Sequence, residues 1–146
     1  MHYLTSTHSC PEPTLDELTQ RLFVYGTLRR GQGNDILLVR GGAKFIKEVW
    51  LYGHAMYGAL SVQVADPQDK VRGELWEVPT DLLLGPVDNL EAHPFGWIRT
   101  WIPDQHGGTW IYLDAHPVHE SWKVKDGDIN NTWDPFKYAA YFHGLM

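Results

Sequence analysis

Two short stretches of this chain hold residue types that can act on a small molecule. The first is Phe23-Val24-Tyr25-Gly26-Thr27-Leu28-Arg29-Arg30-Gly31. It opens on β-prone residues, breaks at Gly26, and reaches Gly31 and Gly33. A buried strand that ends in a glycine turn leaves backbone N–H groups without ladder partners, and N–H groups that converge bind an anion or a carboxylate. The second stretch is Val87 to Arg99, in which Glu91 is flanked by Leu90, Ala92, Pro94 and Phe95. A carboxylate pressed against apolar groups keeps its proton to higher pH and becomes a better base near neutrality. On the residues alone each stretch also has a plainer reading. A strand followed by glycine is ordinary chain punctuation, and a lone Glu is usually solvated.

The remaining candidates for chemistry are weaker. Gly26 and Gly31 have the first spacing of a phosphate-cradling loop, but Gln32 and Gly33 stand where Lys and Ser or Thr are needed. Dinucleotide-fingerprint spacing is absent as well. His116-Pro117-Val118-His119-Glu120 lacks the helical His-Glu-x-x-His spacing, and Pro117 spoils a helix, so a turn with exposed imidazoles is expected rather than a metal site. Cys10 has no neighbour that would activate a thiolate. Ser61 and Ser121 lack Gly-x-Ser-x-Gly surroundings.

Taken together, Tyr25-Gly26-Thr27-Leu28-Arg29-Arg30-Gly31 and the set Asp88, Glu91, Pro94, Trp97 and Arg99 resemble the two signatures of the γ-glutamylcyclotransferase-like family. That family includes γ-glutamylamine cyclotransferases and plant avirulence-induced proteins. Tyr52-Gly53 through Tyr57-Gly58, and Val71 to Val78, look like its middle strands, and the resemblance covers roughly residues 22 to 128. It implies a small mixed β-barrel with a few packed helices. It places Glu91 on the family's catalytic Glu and gives substrate binding to Tyr25, Gly26, Thr27 and Leu28, with Trp97 and Arg99 beside them. Gly26 would let the substrate approach the backbone closely. Trp97 stands where the family usually has Tyr, Ala92 where Gly often follows the Glu, and Gly127-Asp128-Ile129 matches a late Gly-Asp-Trp only in part.

The implied reaction needs one acid–base group and neither metal nor organic cofactor. Glu91 takes a proton from the α-ammonium of a γ-glutamyl amine or peptide. The freed amine attacks the γ-carbonyl, the ring closes to 5-oxoproline, and the proton passes to the leaving amine. The nucleophile is already tethered, so folding the substrate does much of the work. Two rivals share the motifs: a non-catalytic protein of the same fold that binds a small ligand, and a γ-glutamyl acyltransferase. Product identity separates them.

Composition narrows the partners. The net charge is −6, with 18 acidic against 12 basic residues, which argues against nucleic acid. No apolar run is long enough to span a membrane. Met1 to Cys10 lacks the basic start and apolar stretch of a signal peptide, so a cytoplasmic monomer or homodimer is expected, with one cysteine and no internal disulfide.

The site must be positioned by an α+β fold of many short strands. Residues 1–13 are expected to be a flexible tail and 14–146 a single domain. Thr14-Leu15-Asp16-Glu17 is a capping-box pattern, which predicts a short helix through Arg21 before the first strand. Asn34 is expected to cap a helix over Asp35 to Arg40 that ends at Gly41-Gly42. Strands are expected in Ala43 to Tyr57 with a break at Gly53, in Val62 to Ala65, and in Val71 to Val78. Thr80 reads as the N-cap of a helix that is kinked or restarted at Gly85-Pro86. Trp97 to Ile102 and Thr109 to Leu113 read as a hairpin. The aromatic stretch Asn130 to Met146 is expected to pack on the body rather than bind a partner.

Overall fold

Apolar residues come in short runs between glycines and prolines, and those runs become strands. The computed structural model of the chain describes residues 3–5, 12–58, 61–105 and 107–128. The strands are β1 (Tyr3–Leu4), β2 (Thr19–Val24), β3 (Lys44–Tyr52), β4 (His54–Tyr57), β5 (Ser61–Val64), β6 (Lys70–Pro79), β7 (Trp97–Ile102), β8 (Thr109–Asp114) and β9 (Lys123–Val124). Short helices are α1 (Asp35–Arg40), α2 (Thr80–Leu82) and α3 (Asp88–Leu90). The larger sheet has the order β1-β3-β6-β2-β8-β7, and β5-β4-β9 form a smaller one. The α+β class is as expected. The pairings do not close the larger sheet into a ring, so the anticipated barrel is seen as two sheets with β1 and β7 as outer strands of the larger.

β2 is the central strand, antiparallel to β6 and parallel to β8, with Leu22 opposite both Trp76 and Trp110. Its side chains alternate between two cores, as a period of two requires. Phe23 and Tyr25 join Val49, Leu51, Leu75 and Ile111 on one face. Leu22 and Val24 join Leu38, Trp76, Leu83, Val87, Trp110 and Tyr112 on the other. A sheet covered on both faces needs continuous apolar runs rather than apolar–polar alternation. That explains Leu22-Phe23-Val24-Tyr25.

Three local readings change. Thr14 to Leu18 makes a turn, with the Glu17 N–H on the Thr14 carbonyl at 3.4 Å, and the helix expected through Arg21 does not form. Thr19 onward instead pairs with β6, Thr19 facing Pro79, and six residues of ladder outweigh a local cap. Thr80 is not a side-chain cap; its hydroxyl donates to the Glu17 carbonyl. The Gly85-Pro86 interruption is absorbed by one wider π turn over Leu83–Val87, which joins α2 to α3. A π turn tolerates the N–H that Pro86 lacks. Within the expected tail, β1 pairs in parallel with β3, and Leu4 is fully buried. α1 and the β7–β8 hairpin stand where expected. Asn34 makes no side-chain cap bond.

Cys10, His106 and Asn130 to Met146 lie outside the described residues. Among those described, no helix is long and apolar enough to cross a membrane.

The tightest point of the larger sheet is Gly73 on β6. A Cβ there would lie 2.4 Å from the Val24 carbonyl oxygen and 2.5 Å from the Phe23 ring. Gly73→Ala is therefore expected to destabilise the fold by about 1–3 kcal/mol, because backbone cannot retreat as a flexible side chain would. A melting curve should show Tm lower by about 3–10 °C.

Candidate functional site

At Val24 the ladder with β6 ends and the chain turns. The Arg29 N–H closes onto the Gly26 carbonyl at 3.0 Å, and the Asn34 N–H onto the Thr27 carbonyl at 3.0 Å. Asn34 Nδ2 donates to Thr27 Oγ1 at 2.8 Å. No acceptor among the described residues takes the N–H groups of Gly26, Thr27 or Leu28. Positive φ falls on Gly31 (81°) and Gly33 (108°), not on Gly26, so a left-handed turn does not account for glycine at position 26.

The two arginines that follow are anchors. Arg29 Nη1 meets Asp128 Oδ1 at 2.8 Å, with both side chains buried. The Arg30 N–H and Nε both donate to buried Glu74, at 2.9 and 3.1 Å, and its guanidinium lies 3.5 Å over the Phe45 ring. Holding consecutive residues to two different acids fixes the loop from both ends. Asp128 therefore supplies a purpose for the late Gly-Asp pair.

The other wall comes from the end of α3. The Glu91 N–H donates to the Val87 carbonyl at 3.1 Å, and the Glu91 carbonyl accepts the Trp97 N–H at 3.0 Å. Between them Ala92 sits at φ 55°, in the left-handed region. Asp88 ties this turn to the β7–β8 hairpin. Its carboxylate accepts Arg99 Nε at 3.0 Å and the Tyr112 hydroxyl at 2.5 Å, and its carbonyl accepts the His93 N–H at 2.9 Å. The Arg99 N–H in turn donates to His93 Nδ1 at 3.0 Å.

Between these walls lies a cavity of about 220 Å³. Tyr25, Gly26, Thr27, Leu28, Glu91 and Trp97 all line it, so the two motifs meet although they are far apart in sequence. Arg99 is not among the lining residues. It is held behind the wall by Asp88 and stacks 4.7 Å from the Trp110 ring, with 11% of its side chain exposed. The Tyr25 ring lines the cavity while its hydroxyl donates to the Tyr112 carbonyl at 2.6 Å. Phe23, Val24, Asn34, Leu90 and Tyr112 complete the lining and were not picked out as site residues from the sequence. Asn34 read as a helix cap. Tyr112 becomes visible only through the register that sets it opposite Arg99.

Glu91 is the one ionisable acid or base lining this space apart from the two phenols. Burial raises its pKa from 4.5 to about 7, and no counter-charge offsets that cost. Among the described residues, no group of three His, Cys, Asp or Glu is arranged to hold a metal. His116 Nδ1 is 2.6 Å from buried Asp114, and His119 faces Ser121 at 3.3 Å, so the two histidines do not converge.

Comparison with known proteins points the same way as the motifs. A family model described as gamma-glutamyl cyclotransferase, AIG2-like, matches residues 22–134. The gamma-glutamylcyclotransferase family protein YtfP of Escherichia coli strain K12 is 27% identical over 109 residues, which is 74% of this chain and 94% of that one. An uncharacterized protein of Pyrococcus horikoshii superposes with a TM-score of 0.60 at 22% identity, covering 87% of this chain and 99% of that one. An AIG2-like protein of Mus musculus superposes at 0.54 and 22% identity, covering 81% and 90%.

Two stability measurements probe this geometry. Ala92→Gly should raise stability by about 1 kcal/mol, because an L side chain at φ 55° carries a steric cost that glycine lacks. A shift of Tm to higher temperature reads it. Glu91→Gln should act through pH. The folded pKa of Glu91, about 7, lies above its ordinary 4.5, so its contribution is fully present below 4.5 and is lost as pH rises through 7. Glu91→Gln should match the parent at pH ~4 and exceed it by about 1–3 kcal/mol at pH ~8. Denaturant titrations at the two pH values check this, and equal differences at both would remove the buried-carboxylate account.

Proposed function

The chain belongs to the gamma-glutamyl cyclotransferase, AIG2-like family, and we propose that it releases 5-oxoproline from a γ-glutamyl amine or γ-glutamyl peptide, with Glu91 as general base and then general acid. The observation that carries this reading is a single half-buried carboxylate, with no cation among the lining residues, that shares one small cavity with a loop whose backbone N–H groups take no acceptor among the described residues.

Each part answers a need of the reaction. Removing a proton from an ammonium near pKa ~8 by a carboxylate near ~4.3 is uphill by about 5 kcal/mol. Raising Glu91 to about 7 removes most of that gap. The same near-matched acid can then return the proton to the leaving amine. The N–H groups of Gly26, Thr27 and Leu28 suit the α-carboxylate or the oxygen of the γ-carbonyl as charge develops on it. Asp88 and Arg99 act through position. They hold the turn that carries Glu91 and do not need to touch the substrate. A cytoplasmic location belongs to the same proposal.

The test is incubation with a panel of γ-glutamyl amines and peptides and detection of 5-oxoproline by mass spectrometry. Free glutamate or a transferred glutamyl group instead would mean hydrolysis or acyl transfer, and no turnover with tight binding would mean a ligand-binding protein. Glu91→Gln is expected to lower kcat by roughly 10²–10⁴-fold, because it keeps shape and removes the proton carrier. In the parent, kcat/KM should rise with pH through about 7, where Glu91 loses its proton. The residual rate of Glu91→Gln should lack that limb; if it keeps it, the base is another group.

A further inference from the structure

Tyr112 lines the cavity, yet its hydroxyl proton is already committed. It donates to Asp88 Oδ1 at 2.5 Å, and the same carboxylate takes Arg99 Nε at 3.0 Å. A phenol carries one O–H and two acceptor positions. With the O–H turned to Asp88, the hydroxyl of Tyr112 has only acceptor positions left to offer a ligand. Donation to a carboxylate also polarises the oxygen and strengthens it as an acceptor. Burial first, and then the Asp88 bond, push the phenol above its ordinary range, so the proton stays in place. Glu91 lines the same cavity as Tyr112.

We propose that Tyr112 Oη and the Glu91 carboxylate form a two-acceptor cradle for a primary ammonium, the α-ammonium of the γ-glutamyl substrate. This rests on the reading under Proposed function and assigns the orientation of the substrate within it. The loop that lines the same cavity offers N–H donors from Gly26 to Leu28, which repel an ammonium and attract a carboxylate. The cavity thus holds acceptors for the ammonium and separate donors for the carboxylate of an α-amino acid head.

The cradle also orders the chemical step. Glu91 removes one proton from the ammonium. One remaining N–H stays on Tyr112 Oη, which leaves the nitrogen lone pair aimed along the cavity at the γ-carbonyl carbon. The new C–N bond forms, the bond to the leaving amine breaks and that amine takes the proton from Glu91. Glu91 then takes the second proton from the ring nitrogen, the lactam keeps one N–H, and that second proton leaves with the departing amine as its ammonium. Tyr112 neither gains nor loses a proton. The α-amino group is then needed for binding and not only as the nucleophile.

Two stable probes separate these roles. L-methionine sulfone places a neutral sulfonyl where the γ-carbonyl sits and cannot cyclise. Its desamino counterpart differs only by loss of the α-amino group. Both are titrated calorimetrically into the parent and into Tyr112→Phe, whose folding is followed by melting. The amino ligand should bind Tyr112→Phe about tenfold or more weakly than the parent, as loss of a hydrogen bond to a charged group predicts, and the desamino ligand should change by less than about twofold. Equal weakening of both ligands would make Tyr112 a structural residue and overturn the cradle, as would unchanged binding of the amino ligand. If Tyr112→Phe does not fold, Glu91→Gln must show the same amino-dependent loss, or the cradle is overturned. A parent that forms 5-oxoproline while Tyr112→Phe binds normally sinks the cradle alone. A parent that forms none, yet shows the amino-dependent loss, keeps the cradle and sinks the activity.

Discussion

The carboxylate of Asp88 joins three elements at one point: the helix end that leads to Glu91, the β7 strand through Arg99, and the β8 strand through Tyr112. Burying an ion there is costly, by several kcal/mol, unless its partners are close and well aimed. Arg99 Nε at 3.0 Å and the Tyr112 hydroxyl at 2.5 Å meet that condition. Once the junction is satisfied, the turn from Glu91 to Gly96 has little freedom. It is bounded by the His93 N–H on Asp88 and the Trp97 N–H on Glu91. Glu91, three residues on, gets the opposite treatment. It is half-buried, with no cation among the residues that line its cavity, and desolvation raises its pKa to about 7. Two nearby carboxylates thereby sit in opposite settings, one paired within the frame and one unpaired beside the cavity, and such a contrast pushes pKa values apart.

The loop on the far wall depends on the same principle. Glu74 and Asp128 are buried acids, and each takes one of the consecutive arginines after the glycine turn. Truncating Asp128 would leave buried Arg29 without the acid it meets, so the loop's shape is coupled to the structure beneath it. The N–H groups of Gly26 to Leu28 stay unpaired because the backbone around them is held from outside, not because it lacks order. The price is a loop that cannot relax to satisfy itself, and that is the condition for satisfying a ligand.

What could be read from the sequence was local. The strand ending at Gly26, the apolar neighbours of Glu91, α1 with its glycine stop, and the β7–β8 hairpin all depend on residues close in the chain. The misreadings were non-local. Thr14 to Glu17 has the pattern of a helix start, but Thr19–Val24 gains more from the ladder with β6 than from continuing a helix. Arg99 sits two residues after Trp97 on one strand face, so nothing local distinguishes a guanidinium at the cavity from one behind it. Asp88 decides the matter, eleven residues away. Tyr112 is set by strand register, which no short motif encodes.

The departures from the family's pattern fall where the backbone, not the side chain, carries the geometry. Residue 97 holds Glu91 through its N–H, which any residue but proline supplies. The indole of Trp97 therefore changes the cavity wall without moving the carboxylate. Ala92 takes a left-handed φ of 55°, a conformation glycine adopts more cheaply, and the turn keeps its shape at a cost in stability. The position of Glu91 is thus set by backbone bonds and the Asp88 junction, whereas the wall is set by exchangeable side chains. A fold arranged this way can change the shape of its cavity while the carboxylate stays in place. Identity at residue 97 therefore bears on the cavity's shape, and the backbone around residue 91 on where its carboxylate sits.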